Sequence, residues 1–176
     1  ILKDTKRYQI RESAHPFTIR INPDDVRITT RVHKDNLYSI VSTVHESGHA
    51  LYELGFDRDH WRTVLADAPS FGIHESQSRF WENHVFLDRQ YLKGKYDEMK
   101  DRFDLDVSFE AFYKYMNRVE PGLIRVEADE VTYTLHVIIR FEIEKALFEG
   151  TLDVEELPEV WNRKYEEYLG VSPESD

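Results

Sequence analysis

The strongest constraint on this chain lies between Leu37 and Gly55. There Leu37, Ile40, Val41, Val44, Gly48 and Leu51 recur at helical spacing, and Gly55 offers a stop. Asp35 and Asn36 stand just before, and either side chain can accept hydrogen bonds from the first free amides of a helix. The same stretch carries His45-Glu46-Ser47-Gly48-His49, an H-E-x-x-H pattern. Residues four apart lie one above the other on a helix face, so His45 and His49 can share one Zn2+ while Glu46 projects beside it, placed to take a proton from bound water. The competing reading makes both histidines ordinary helix residues and Glu46 a solvated acid; the amphipathic, capped setting favours the metal. Gly48 in a helix interior costs about 1 kcal/mol relative to Ala. It therefore marks a close approach by another element or tight helix packing.

Around this helix the pattern is mainly α. Val26 to His33 alternates, with Val26, Ile28, Thr30 and Val32 on one face and Arg27, Thr29, Arg31 and His33 on the other, a strand rich in β-branched residues. A second helix is expected from Ser70–Gly72 to about Leu92, with Glu75, Arg79 and Glu82 on one side and Gly94 as its end. Ser108 begins a short helix through Val119, and Pro121 and Gly122 punctuate. A long apolar helix then spans about Leu123 to Phe148 before Gly150, and Pro158 opens a last helix reaching Leu169. The expectation is one catalytic-core region over residues 1–176, mainly α, with a small β-sheet edge before the metal helix.

Composition narrows the function classes. With 176 residues, 40% hydrophobic and 32% charged, the chain is long and apolar enough to build a core. A formal charge of −11 argues against nucleic acid, which needs a net basic face. No run approaches the length of a membrane span, and Ile1 to Ile10 holds no export signal, so the reading is a soluble, cytoplasmic protein. The chain has no cysteine, so a metal must be held by His and carboxylate.

Catalytic zinc takes three protein ligands and leaves a position for water. The sequence offers the third in His74-Glu75-Ser76-Gln77. Neighbours on a helix point about 100° apart, so either His74 or Glu75 faces the metal, not both. A His-only site would be a different enzyme class.

At this point the sequence resembles the carboxypeptidase Taq family of zinc metallocarboxypeptidases. The resemblance rests on His15-Pro16-Phe17 (HPF), Asp25-Val26-Arg27-Ile28-Thr29 (DxRxT), the H-E-x-x-H, His74 to Gln77 (HESQ) and Ile124-Arg125-Val126-Glu127-Ala128-Asp129 (IRxxAD), all in the family's order. It implies a gluzincin-type helical scaffold, Glu75 as third zinc ligand and Arg125 near the substrate's C-terminal carboxylate, which a guanidinium can hold with two parallel hydrogen bonds. Arg125 can equally pair with Asp129 one turn on. His15 is assigned to substrate binding, against a purely turn-anchoring role before Pro16. Asp25 and Arg27 lie by a strand edge able to pair with an extended substrate, although an ion pair between them explains both more simply. His33, His60, His84 and His136 are given no metal role.

The implied activity is removal of single residues from the free C-terminus of peptides, with Glu46 moving a proton from the attacking water to the leaving amine. Two alternatives share the site: an oligopeptidase cutting within peptides, and a zinc-binding core inactive without further regions. Co2+ is an expected substitute for Zn2+. The family's members are longer, with a helical region before HPF and a GxxQDxHW segment after IRxxAD, so the chain reads as a fragment. Apolar faces left exposed would favour association, and the resemblance implies a homodimer.

Overall fold

The computed structural model describes residues 6–32 and 37–173. The alternation beginning at Val26 does form a strand, β3 (Asp25–Thr30), with Val26 and Ile28 fully buried and Arg27 exposed. It ends at Thr30 because the pairing ends there, Glu12 opposite Thr30 being the last register pair. Two more strands flank it: β1 (Tyr8–Glu12) runs parallel and β2 (Phe17–Asn22) antiparallel, in the order β1-β3-β2. The strand before the metal helix is therefore the centre of the sheet, and its edges are β1 and β2. Sequence reading passed over β2, although Phe17, Ile19 and Ile21 alternate there; these three residues are nearly half exposed.

Helix α1 (Tyr38–Gly55) lies on the other sheet face, where Ala50 packs against Val26 and Ile28 beside Tyr8 and Leu54. Leu37 occupies its N-cap position without a side-chain cap, while Asp35, Asn36 and His33 fall outside the described residues. Its most buried residues are Ser42, Glu46, Ser47, Gly48 and Ala50, whereas Ile40, Val41, Val44 and Leu51 are half-buried. Small side chains line this face because α1 is approached from two sides, by the sheet and by the next helix.

That helix, α2 (Phe71–Arg79), starts where Ser70 Oγ accepts from Ile73 N at 3.2 Å. It continues as a π-helical turn over Phe80–Phe86, closed by Leu87 N donating to Glu82 O. The expected single helix to Leu92 is in fact two. Asp88 takes the amides of Gln90 and Tyr91 and starts α3 (Arg89–Phe103), offering the chain a new N-terminus in place of a continued helix. Gly94 sits inside α3, and the stop is Asp104, in the left-handed region at φ 50. Helix α4 (Phe109–Met116) ends short of Val119.

The chain divides into two compact units, residues 1–109 and 110–176. The second is built on α5 (Tyr133–Phe148) and α6 (Leu157–Leu169). The expected start of α5 at Leu123 is overturned by Asp129, whose carboxylate accepts from Val131 N, Thr132 N and Thr132 Oγ1 and so holds the chain outside a helix until Tyr133. Arg125 to Glu127 form only a 3-10 turn. Ile139, Ile143, Leu152, Tyr165 and Leu169 make the core of this unit, and each fully buried aliphatic side chain contributes about 2 kcal/mol from burial. Gly150 and Gly170 follow α5 and α6 with φ of 68 and 67, the left-handed stop that favours glycine. His136, fully buried, meets the Tyr165 hydroxyl, which accepts from Arg140 at 2.9 Å. Phe71, Val64 and Phe148 stand almost fully in water. Among the described residues no helix is long and apolar enough to cross a membrane.

Candidate metal centre

Helix geometry brings His45 and His49 onto one face of α1, and α2 presents Glu75 to them. Glu75 Oε2 lies 3.5 Å from His45 Nε2 and 3.2 Å from His49 Nε2. Among the described residues this is the one group of metal-binding donors brought together, with all three ligand atoms within 4.8 Å of one another. Ligands about 2.1 Å from a tetrahedral zinc stand about 3.4 Å apart. Both edges from Glu75 match that spacing, and two imidazoles with one carboxylate are a donor set for zinc with a position left open.

The helices approach closely because Gly48 allows it. A Cβ there would meet Ser78 Cα at 2.7 Å and Gln77 O at 2.9 Å, both backbone atoms of α2. Gly48 therefore marks the close approach of a second helix, the tight packing expected from sequence. Ser78, fully buried, sits 2.7 Å from Glu75 O and 3.0 Å from Glu75 Oε2, and its one hydroxyl hydrogen serves one of them.

His45 is fixed from its other nitrogen. Its Nδ1 lies 2.8 Å from Glu82 Oε2, which also accepts from Arg79 Nη1 at 3.0 Å. Glu75, Arg79 and Glu82 share one side of α2 and its π-helical extension, as their spacing predicts. Burial by itself drives the His45 ring toward neutrality, but hydrogen bonds to Glu75 and Glu82, and their charge, outweigh it and raise its pKa to about 9. The ring is thus held toward the imidazolium form, Nδ1 donating to Glu82 and Nε2 standing 3.5 Å from Glu75 Oε2, and a metal bound at Nε2 would displace that proton.

Glu46 points to the sheet side of α1 and is buried. Thr18 on β2 sits 2.6 Å from its Oε2 and 3.0 Å from its carbonyl oxygen; one hydroxyl hydrogen serves one of them, and the carboxylate is the shorter. His74, the rival to Glu75, turns away and places Nε2 2.7 Å from Glu53 Oε1. Sequence reasoning missed Glu53 and Thr18. Glu53 was within reach, because it follows His49 by one helical turn on the same face; nothing in the sequence marks Thr18.

His15 is exposed, and its backbone carbonyl accepts from Thr29 Oγ1 at 2.7 Å. Arg27 makes a two-pronged pair with Asp25, at 3.0 and 2.7 Å. Arg125 lies in the second unit, half-buried, donating to the Tyr133 hydroxyl at 2.7 Å. The alternative Arg125–Asp129 pair is not made, since the Asp129 carboxylate is occupied by amides and a hydroxyl, including Glu120 N at 2.9 Å.

Residues 4–176 match the family model described as carboxypeptidase Taq (M32) metallopeptidase. Thermostable carboxypeptidase 1 of Thermus thermophilus is 50% identical over 173 residues, 97% of this chain and 34% of that protein. Carboxypeptidase 1 of Bacillus subtilis is 45% identical over 169 residues, 94% of this chain and 34% of that protein. Among solved structures, the M32 carboxypeptidase from Deinococcus radiodurans R1 aligns with a TM-score of 0.92 at 42% identity, over 98% of this chain and 36% of that one. Trypanosoma cruzi metallocarboxypeptidase 1 aligns with a TM-score of 0.87 at 35% identity, over 97% and 34%. The chain spans about a third of the length of the curated relatives it matches.

Proposed function

Because the chain belongs to the carboxypeptidase Taq (M32) metallopeptidase family, we propose that it carries the zinc centre of a peptidase releasing single residues from the free C-terminus of peptides. The observation that carries this reading is the convergence of His45, His49 and Glu75 on one point, with Glu46 buried on the same helix. His45, His49 and Glu75 hold the zinc, and Co2+ substitutes for it. When bound, the ion supplies a water of lowered pKa and polarises the scissile carbonyl.

Glu46 is the general base. Its carboxylate takes a proton as the water oxygen bonds to the carbonyl carbon, keeps it, and gives it to the leaving amine nitrogen as the C–N bond breaks. The Thr18 hydroxyl, 2.6 Å from Glu46 Oε2, supports this reading by restricting the carboxylate's orientation. Arg125 pairs with the terminal carboxylate of the peptide, its guanidinium steadied against the Tyr133 hydroxyl, and His15 contributes a contact to the substrate. The protein works in the cytoplasm as a homodimer.

The test compares the chain with Glu46→Gln on one peptide carrying either a free or an amidated C-terminus, alongside metal analysis. One zinc per chain and trimming of the free peptide alone, abolished in Glu46→Gln, is the expected result. Cleavage of the amidated peptide would make the enzyme an oligopeptidase, and zinc without cleavage of either would make this chain a binding core. A chain that takes up no zinc refutes the ligand assignment.

A further inference from the structure

Metal-bound imidazoles are usually oriented by a hydrogen bond from the second ring nitrogen to a carboxylate or carbonyl. His45 follows that pattern through Glu82. His49 does not: its Nδ1 is buried and meets no hydrogen-bond partner among the described residues. Something else must keep its Nε2 aimed at the point where Glu75 and His45 converge.

The His49 ring is instead held between two others. His45 stands edge-on to it at 4.9 Å, and His74 lies nearly parallel, with centroids 4.5 Å apart and planes 28° from one another. His74 is itself tethered, Nε2 to Glu53 Oε1 at 2.7 Å, and a carboxylate only accepts, so that nitrogen carries the hydrogen. Behind Glu53 stands Arg20 of β2, whose Nε approaches Glu53 Oε2 to 3.0 Å as an ion pair without the alignment of a hydrogen bond. Arg20 is anchored in turn: its guanidinium donates to Ala66 O and Asp67 and lies over the rings of Phe56 and Trp61, at 5.0 and 5.1 Å. The arrangement links the sheet to the metal ligand through side chains that are each fixed at both ends.

We propose that His74, tethered by Glu53 and Arg20, is the positioning residue for His49, its flat ring taking the place of the missing hydrogen bond. The inference rests on His49 being a metal ligand. It gives the His of the HESQ segment a function as packing partner rather than ligand.

The test uses the full chain and three variants, His74→Ala, His74→Phe and Glu53→Gln. Zinc affinity is measured by chelator competition and the site geometry by the visible spectrum of the Co2+ form. His74→Ala removes the ring and should weaken zinc 10- to 100-fold, the usual loss when a ligand's support is removed, with an altered Co2+ spectrum. His74→Phe keeps the flat ring and should hold zinc within a few-fold of the original. Glu53→Gln keeps both the ring and an acceptor for His74, and should likewise hold zinc within a few-fold of the original. Unchanged affinity and spectrum in His74→Ala would overturn the proposal, as would an equal loss in Ala and Phe, since stacking would then not be what matters. Should His74→Ala fail to fold, His74→Phe decides: retention supports the proposal and a loss of 10-fold or more refutes it. An unmodified chain without metal affinity would instead refute the ligand assignment on which the proposal stands.

Discussion

Replacing Gly48 with Ala sets two effects of opposite sign against each other. Helix propensity alone predicts a gain of about 1 kcal/mol, because Gly is the costlier residue in a helix interior. Packing predicts a loss. The new Cβ would stand 2.7 Å from Ser78 Cα and 2.9 Å from Gln77 O, and neither is the yielding end of a side chain. Restoring a carbon–carbon contact of about 3.5 Å requires α1 and α2 to separate by about 0.8 Å. Overpacking of this kind costs about 1–3 kcal/mol, so the expected net is a destabilisation of up to about 2 kcal/mol rather than a gain. The same separation carries Glu75 away from His45 and His49, and a shift beyond about 0.5 Å is enough to spoil a ligand set. Urea unfolding of the metal-free chain and zinc competition against a chelator check the two consequences separately. A Gly48→Ala chain that is more stable and binds zinc as tightly would refute the reasoning, since only propensity would then be operating.

Two further outcomes follow from the same coordinates. Glu82→Gln leaves His45 Nδ1 an acceptor but removes the charge shared with Arg79; zinc affinity should fall by about 10-fold or more, and chelator competition showing no change would mean Glu82 does not support the ligand. Burial pushes the Asp129 carboxyl up, but the amides of Thr132, Glu120 and Val131 and the Thr132 hydroxyl outweigh it and hold its pKa below the ordinary value of 3.8. The unfolded chain therefore binds this proton first, so the stabilisation is complete above pH 3.8 and is lost as pH falls through the lower folded value. Asp129→Asn should lower stability at neutral pH and flatten the acid limb of the denaturation midpoint plotted against pH; an unchanged acid limb would show that Asp129 makes no such contribution.

The metal helix was legible because its determinants are local: the period and the i, i+4 histidines lie within one stretch of chain, and α1 spans Tyr38–Gly55, with Leu37 at its N-cap position and Gly55 inside the helix. His45 and His49 followed from spacing and the chemistry of a cysteine-free chain, and Glu75 from the family resemblance. The errors have a common cause. Gly94 reads as a stop, yet α3 runs through it, since Asp88 and not the glycine sets the boundary. Leu123 to Phe148 reads as one apolar helix, yet Asp129 finds three amides and a hydroxyl that hold it in a turn. In both places a short polar side chain satisfies backbone amides, and whether it does so depends on the conformation reached, not on the hydrophobic pattern.

What the sequence by itself determined is the set of donors and their order on each helix, because residues along one helix have relative directions fixed by 3.6 residues per turn. What only the tertiary structure decided is every pairing between elements: Glu75 rather than His74 toward the histidines, Thr18 against Glu46, Glu53 against His74, and β3 at the centre of the sheet instead of its edge. Those choices depend on how far apart two backbones pack and in which register, and that distance was set at Gly48 by the absence of a single carbon atom.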